Sequence, residues 1–291
     1  MISPDRLRRP FGALLASELR VVGLALSREA ALAAAGLALL CILVAATAIR
    51  YGERLDAMPE LLLAVMPVAV ILPWLVWKGD PPFGRAFLWT LPVRRQQAAL
   101  ARTIAGAVWL IVAVTAALVG LLAMAAATGG SIGIEEERLV GPYAAGVRGA
   151  SRVAWVTPLW MWLTPFGGAL VVYAGSTAIL LGLRHPLRWL AGLSVAVALL
   201  VTLGVNLGPR SSLQHGVNYV TESLILGTYG LDFAVTGGAL TLVDDVPRPG
   251  PGSDLLWEAL PRTERWVSAL FVWLGGALIA LGLAIRRHWE R

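Results

Sequence analysis

The chain has 291 residues, 57% of them hydrophobic and 14% charged, with a mean hydropathy of +0.72. A soluble domain carries about 25% charged residues, and one soluble core cannot hide this much apolar surface. A soluble enzyme, a disulfide scaffold and a disordered tail are therefore excluded, and a polytopic membrane protein is indicated. The net charge of +6 is carried almost wholly by arginine, since Lys78 is the only lysine. In a membrane chain such an excess reports topology rather than nucleic-acid binding.

At the N-terminus, Phe11, Leu14, Leu15, Leu19, Val22 and Leu26 recur at three- and four-residue steps, with Ser17, Glu18, Arg20 and Ser27 mostly elsewhere. That spacing predicts an amphipathic helix lying in the membrane interface, a plain extension of the first span being the alternative. Six apolar spans follow: Ala30 to Ile49, Leu61 to Trp77 (broken by Pro67 and Pro73), Thr103 to Ala127, Val156 to Leu183 (bent near Pro165–Gly168), Trp189 to Leu207 and Trp266 to Ile285. None contains Asp, Glu, Lys, Arg or His. The first is too long for the apolar part of a signal peptide and is read as a retained helix. Val217 to Val243 is moderately apolar but holds Glu222 and Asp232, each costing about 2.5–3.5 kcal/mol at a bilayer centre, so it is read as folded or re-entrant outer structure. The fold class expected is all-α and polytopic, with both termini cytoplasmic. The chain is taken as one permease-like domain over 1–291: an interface helix in 1–29, spans one to five in 30–207, an outer segment in 208–265, and the sixth span with a cytoplasmic tail in 266–291.

Loop charges orient it. With the N-terminus inside, the inner segments hold fifteen cations and five acids, and the outer ones nine cations and thirteen acids. The inner loop between spans two and three carries the most pattern. It reads Phe87-Leu-Trp-Thr-Leu-Pro-Val-Arg-Arg-Gln-Gln-Ala-Ala-Leu-Ala-Arg102. Pro92 suits a first helical turn, so Val93 to Arg102 reads as a helix running into span three. Arg94 and Arg95 then sit on an exposed rim, with Phe87 and Leu91 as apolar contacts. Such a rigid charged element suits docking to another protein; a solvated loop touching anionic lipid fits the residue pattern equally.

Several chemistries lack their residues. A phosphate-binding loop needs a lysine after glycine, and Lys78 stands in Trp77-Lys-Gly-Asp80. His185, His215 and His288 have no second ligand at metal spacing, and no G-x-S-x-G occurs. The lack of ionisable residues in the spans argues against an ion-coupled secondary transporter, sodium sites built from backbone carbonyls being outside this test. Glu135-Glu-Glu-Arg138 reads as a solvated acidic outer loop, and Cys41 as a small core residue. Glycines at 167, 168, 175, 182, 275, 276 and 282 invite close helix packing. Most tryptophans flank span ends as interfacial anchors. Trp74, Tyr173, Ser176 and Asn206 are the polar or aromatic candidates to line a central pathway, helix packing being the plainer alternative.

Leu91-Pro-Val-Arg-Arg-Gln-Gln-Ala-Ala-Leu-Ala-Arg102 resembles the leucine–proline–small–arginine signature of type-2 ABC exporter permeases, where it also lies between spans two and three. Leu14 to Glu29 resembles that family's N-terminal interface helix, here through Phe11, Leu15, Glu18, Leu19 and Arg20. The usual serine is replaced at Val93–Arg94, the later lysine is Arg102, and 208–265 lies outside the resemblance. The resemblance implies two permease subunits, identical or different, above a pair of cytoplasmic ATPase subunits. Phe87, Leu91, Pro92, Arg94, Arg95 and Arg102 would form the coupling helix. ATP and magnesium would sit on the ATPase, with no cofactor, metal or catalytic residue on this chain. Membrane lipid is the other expected partner, and a bacterial inner membrane the expected location. The alternative is a non-transporting scaffold or sensor whose outer segment binds a partner; an enzyme acting on lipid ranks third. Lipid, peptide, drug and polysaccharide remain open as cargo.

Overall fold

The computed structural model describes residues 11–78, 95–141, 150–206, 229–238, 243–247, 253–257 and 260–290. They form a mostly helical protein. Five helical segments are long and apolar enough to cross a membrane: Phe11–Tyr51, Pro59–Val76, Gln96–Thr128, Leu159–Gly182 and Thr263–Arg287. Large apolar side chains such as Leu39, Ile42, Phe271 and Ile279 are exposed along them, as suits a surface in contact with lipid.

Helix α1 (Phe11–Tyr51) is unbroken for 41 residues, about 61 Å of helix. This corrects the expectation of a separate interface helix. Leu26-Ser-Arg-Glu-Ala30 contains neither glycine nor proline, so nothing stops the helix at the start of the first span. The four-residue stripe Leu14, Glu18, Val22, Leu26 is buried against protein rather than laid on lipid. Of the other residues expected on the interface, Leu15 and Leu19 are half-buried, and Phe11 and Arg20 are exposed.

The second segment opens as a 3-10 turn, Pro59–Val65, and continues as α2 (Met66–Val76), with Pro67 in its first turn and Pro73 inside. Proline at 73 has no N–H for the Ala69 carbonyl one turn back. The Ser176 hydroxyl faces that carbonyl at 3.4 Å, so a neighbouring helix covers the exposed backbone group. Helix α3 (Arg95–Thr128) runs directly from the basic loop into the third span, as its sequence suggests. The fourth segment differs at its start: Val156 ends a strand, Leu159–Leu163 is a 3-10 turn, and α4 (Thr164–Gly182) begins with Pro165 in its first turn. Proline there starts the helix rather than bending it. Helix α5 spans Pro186–Asn206, and within 208–265 α6 is a six-residue helix, Leu231–Thr236, only about 9 Å long. The last helix, α7, spans Thr263–Glu290.

Two helix pairs run in parallel. Glu18, Gly23 and Cys41 of α1 meet Arg102, Trp109 and Gly120 of α3 in the same order. A Cβ at Gly167 would lie 3.0 Å from Leu270, and one at Gly182 would lie 3.2 Å from Ala284, so α4 and α7 also descend side by side. The core between α1, α2, α3, α4 and α7 holds Val22, Leu72, Val76, Leu110, Val114, Tyr173, Leu181 and Leu281. Helix α6 tucks against α4 and α7: Phe233 and Ala234 pack on Ala269, and Trp273 Nε1 donates to the Tyr229 carbonyl at 2.8 Å. Trp273 lies ten residues into α7, so the chain at Tyr229 reaches about 15 Å along the helix.

One end of the bundle carries a sheet that the sequence did not announce. Strands β1 (Glu135–Val140), β2 (Ser151–Val156), β3 (Val243–Pro247) and β4 (Ser253–Trp257) order as β2-β1-β4-β3. The β1–β2 and β3–β4 pairs are antiparallel, whereas β1 and β4 pair in parallel through Leu139–Leu256 and Val140–Trp257. The segment expected as a solvated acidic loop is thus a strand. Glu135 and Glu137 are exposed, but Arg138 is buried between the Trp155 and Trp257 rings, 4.7 and 3.9 Å from their centroids, with its Nε 2.6 Å from Glu136. The guanidinium therefore rivets two hairpins that are separated by more than eighty residues in sequence.

The turn after α1 joins the same end. Ala57 bridges to Ile132, and the Asp56 carboxylate accepts hydrogen bonds from Ser131 N at 2.7 Å and Ser131 Oγ at 2.9 Å. The Ser131 backbone N–H, then its hydroxyl, holds the Asp56 carboxyl below its ordinary value of 3.8. A carboxyl with a depressed folded pKa stabilises above its unfolded value, and that contribution disappears as pH falls through the folded pKa. The melting temperature of the wild type in detergent should exceed that of Asp56→Ala at pH 6, and the gap should close as pH falls below about 3.8. A gap that stays constant to pH 2 contradicts the assignment.

Candidate functional site

The end of the bundle opposite the sheet holds the candidate site. Helix α1 contains two acids, Glu18 and Glu29, eleven residues apart and so on one face of the helix. Each meets a cation that flanks loop 79–94. Glu18 Oε2 accepts from Arg102 Nε at 3.1 Å, with both side chains mostly buried (11% and 13% exposed). Glu29 lies 4.0 Å from Lys78 Nζ, in an exposed pair. Lys78 follows the last turn of α2, and Arg102 lies two turns inside α3. The two acids of α1 thus grip both roots of the loop between α2 and α3.

The grip has an apolar and a polar reinforcement. Arg102 lies over the Trp77 ring, 5.2 Å from its centroid, so the guanidinium rests on the end of α2 while bonding α1. Trp109 Nε1 donates to the Leu19 carbonyl at 3.2 Å. Its ring covers Gly23 so closely that a Cβ there would lie 2.6 Å from the Trp109 ring. Leu14, Val22 and Leu26 bury the rest of that face. The N-terminal half of α1 is therefore fastened to α3 and to the end of α2 over about four turns.

The two pairs differ in strength. An exposed ion pair such as Glu29–Lys78 contributes about 0–1 kcal/mol. Removing one partner of a buried pair leaves an uncompensated charge, which costs about 3–5 kcal/mol. Glu18–Arg102 approaches that second case because little water reaches either side chain.

Of the residues expected to form the coupling element, Phe87, Leu91, Pro92 and Arg94 lie outside the described residues. Arg95 is the first residue of α3, and Arg102 is in the grip. Of those expected to line a pathway, Tyr173 is buried (2% exposed), and its hydroxyl donates to the Thr103 carbonyl at 2.9 Å. Ser176 is buried against α2 at Ala69, and Trp74 is half-buried against the core. All three pack between helices of this one chain. Asn206 ends α5. Among the described residues no group of three or more His, Cys, Asp or Glu is arranged to hold a metal ion.

The sequence singled out Glu18 and Arg102 separately and did not pair them. Glu29, Lys78, Trp77 and Trp109 were not selected as a group. The available signal was the eleven-residue interval between the only acids of a helix that precedes two cation-flanked loop roots. No protein-family model, curated protein or solved structure matches the chain.

Arg102→Ala should lower the melting temperature clearly, corresponding to about 3 kcal/mol, because Glu18 loses its charge partner. Lys78→Ala should move it little. The double variant Glu18→Gln/Arg102→Gln should recover part of the loss. Equal effects of Arg102→Ala and Lys78→Ala in a thermal melt would refute the ranking.

Proposed function

We propose that this chain is the membrane-spanning subunit of an ATP-driven exporter, working as a dimer with separate cytoplasmic ATPase subunits. The observation that carries the reading is the double grip of α1 on the roots of loop 79–94. The basic segment 79–94 that resembles a coupling helix joins α2 to α3, and residues on both of these helices' near ends are tied to α1. A push on it would be delivered to three helices rather than absorbed by a free turn. ATP is assigned to another chain because the single lysine, Lys78, stands outside any phosphate-binding loop and pairs with Glu29.

Six spans with both termini inside are part of the proposal. The support is geometric. Helices α4 and α7 descend in parallel from the sheet end. The intervening chain must therefore return from the foot of α4 to the sheet, where β3 and β4 pair with β1. Helix α5 has 21 residues, about 31 Å, which is the thickness of a hydrocarbon core. It is assigned as the fifth crossing. The sheet end, with the turn after α1 and both strand hairpins, is then outside, and the grip is inside. This agrees with the cation count of the loops.

Motion would follow from ATPase closure pushing the loop, with α1 carried along through Glu18 and opening a pathway at the seam between two subunits. The folded outer sheet favours a second reading, a scaffold or sensor whose outer face binds a partner, in which the grip is only structural.

The exporter reading expects an ATP-binding-cassette ATPase to be encoded beside this chain, and the two readings separate in proteoliposomes that hold both. Arg94→Glu/Arg95→Glu should reduce ATPase co-purification at least tenfold while leaving the melting temperature unchanged. Glu18→Gln should keep ATPase bound and hydrolysing but lower cargo moved per ATP several-fold. Full transport by the purified chain without any ATPase, or unchanged coupling in Glu18→Gln, would overturn the exporter reading.

A further inference from the structure

Helix α7 carries an unpaired cationic foot beneath an uncovered apolar stripe. Val272, Gly276, Ile279, Leu283 and Arg286 follow one another at three- and four-residue steps and so share a face. All are exposed: Val272 by 58%, Ile279 by 68% and Leu283 by 56%. A Cβ at Gly276 would meet nothing within 4 Å, so the stripe has a shallow notch about two turns above Leu283. Arg287 stands one turn past Ala284, which touches Gly182 at the foot of α4. Arg184 follows two residues beyond Gly182, and Arg188 opens α5 together with the exposed Leu187 and Trp189. Arg184, Arg188, Arg286 and Arg287 are exposed, and none is in an ion pair among the described residues. The acid nearest to Arg286 in sequence is Glu290, one turn further on.

We propose that this foot is a binding site for an anionic phospholipid, its phosphate held between Arg286, Arg287 and Arg184 and one acyl chain lying along the stripe from Leu283 to Gly276. The occupant follows from the order of the chemistry along the helix. Half a hydrocarbon core is about 15 Å, or ten residues of helix, and ten residues above Arg286 is Gly276. Cations at the base, apolar side chains above and a notch at acyl depth match a molecule with a charged head and a hydrocarbon tail. Exposed Trp189 beside Arg188 has the amphipathic ring that settles at headgroup level. An acidic protein surface would complement the arginines but would leave the apolar stripe without a role. The inference stands apart from the exporter reading, because it needs only that α7 be in a bilayer.

Native mass spectrometry of the full chain, released from micelles doped with phosphatidylglycerol or phosphatidylcholine of the same chain length, tests it. The wild type should retain phosphatidylglycerol at least tenfold over phosphatidylcholine. Arg286→Gln/Arg287→Gln should lower that preference by about fivefold per arginine. Arg286→Lys/Arg287→Lys, which keeps the charge and guards against a folding artefact, should preserve most of it. Gly276→Leu, which removes no charge, should weaken retention of long-chain phosphatidylglycerol while leaving a dihexanoyl version unaffected. Equal retention of the two lipids by the wild type overturns the site, as does an unchanged preference in Arg286→Gln/Arg287→Gln. Displacement of the lipid by millimolar inorganic phosphate would make the site one for free phosphate and overturn the lipid assignment. A change in subunit number in Gly276→Leu with lipid retention intact would give the stripe to a second copy of the chain and overturn it too.

Discussion

The Glu18–Arg102 ion pair is the constraint on which the half of the protein away from the sheet depends. Helices in lipid gain little from the hydrophobic effect, because hydrocarbon tails are as apolar as leucine. Close packing and a few polar ties must fix their registers. Over the N-terminal half of α1 those ties are one mostly buried ion pair, one exposed one and the Trp109 bond to Leu19. Beyond Leu26 most of α1 is exposed, with Cys41 against Gly120 and buried Ala48 among its few close approaches. Its placement is therefore decided near Glu18 and again at the turn that follows Tyr51.

Inside the bundle, polar groups do the same work by a different route. The Thr103, Thr177 and Thr164 hydroxyls bond carbonyls within their own helices. Tyr173 reaches across to α3, and Ser176 faces the carbonyl exposed by Pro73 on α2. Each is a buried donor with an acceptor, so none carries the penalty of an unsatisfied group in an apolar medium. Gly106 shows how tight the fit is: a Cβ there would lie 2.1 Å from the Tyr173 hydroxyl. Glycine at that position is what admits the tyrosine between α3 and α4.

Much of the helical architecture was legible in the sequence, because uncharged apolar runs of bilayer length leave few alternatives. The runs Thr103–Ala127 and Trp266–Ile285 both continue past their predicted ends as helix, since no proline or glycine pair interrupts Arg95 to Thr103 or Ile285 to Glu290. The interface helix was misread for a physical reason: a four-residue stripe looks the same whether its far side meets lipid headgroups or another helix. Its one acid, Glu18, distinguished the cases, because a carboxylate in the stripe needs a partner and Arg102 supplies it. The sheet was invisible for the opposite reason. Its strands are five or six residues long, and the parallel β1–β4 pairing joins segments on either side of three helices. Local alternation carries no signal of that contact. Only Arg138, flanked in space by Trp155 and Trp257, marks where the hairpins meet.

The two ends of the molecule are fastened in different ways, and on the proposed reading that difference gives a direction to movement. At the outer end, Asp56–Ser131, the Ala57–Ile132 bridge and the β1–β4 pairing join three connecting segments through backbone hydrogen bonds and a buried arginine. Such ties are numerous and resist shear together. At the inner end, the ties of α1 among the described residues include two ion pairs and one indole bond. The exposed Glu29–Lys78 pair can exchange protein for water at a modest cost if it opens, while the mostly buried Glu18–Arg102 pair keeps α1 moving with α3; a strand pair cannot open without leaving several backbone groups unpaired. A force applied to loop 79–94 would therefore tilt α1, α2 and α3 about the sheet rather than separate them at the outer surface. The pivot would be outside and the lever inside, which is the arrangement a subunit driven from the cytoplasm requires.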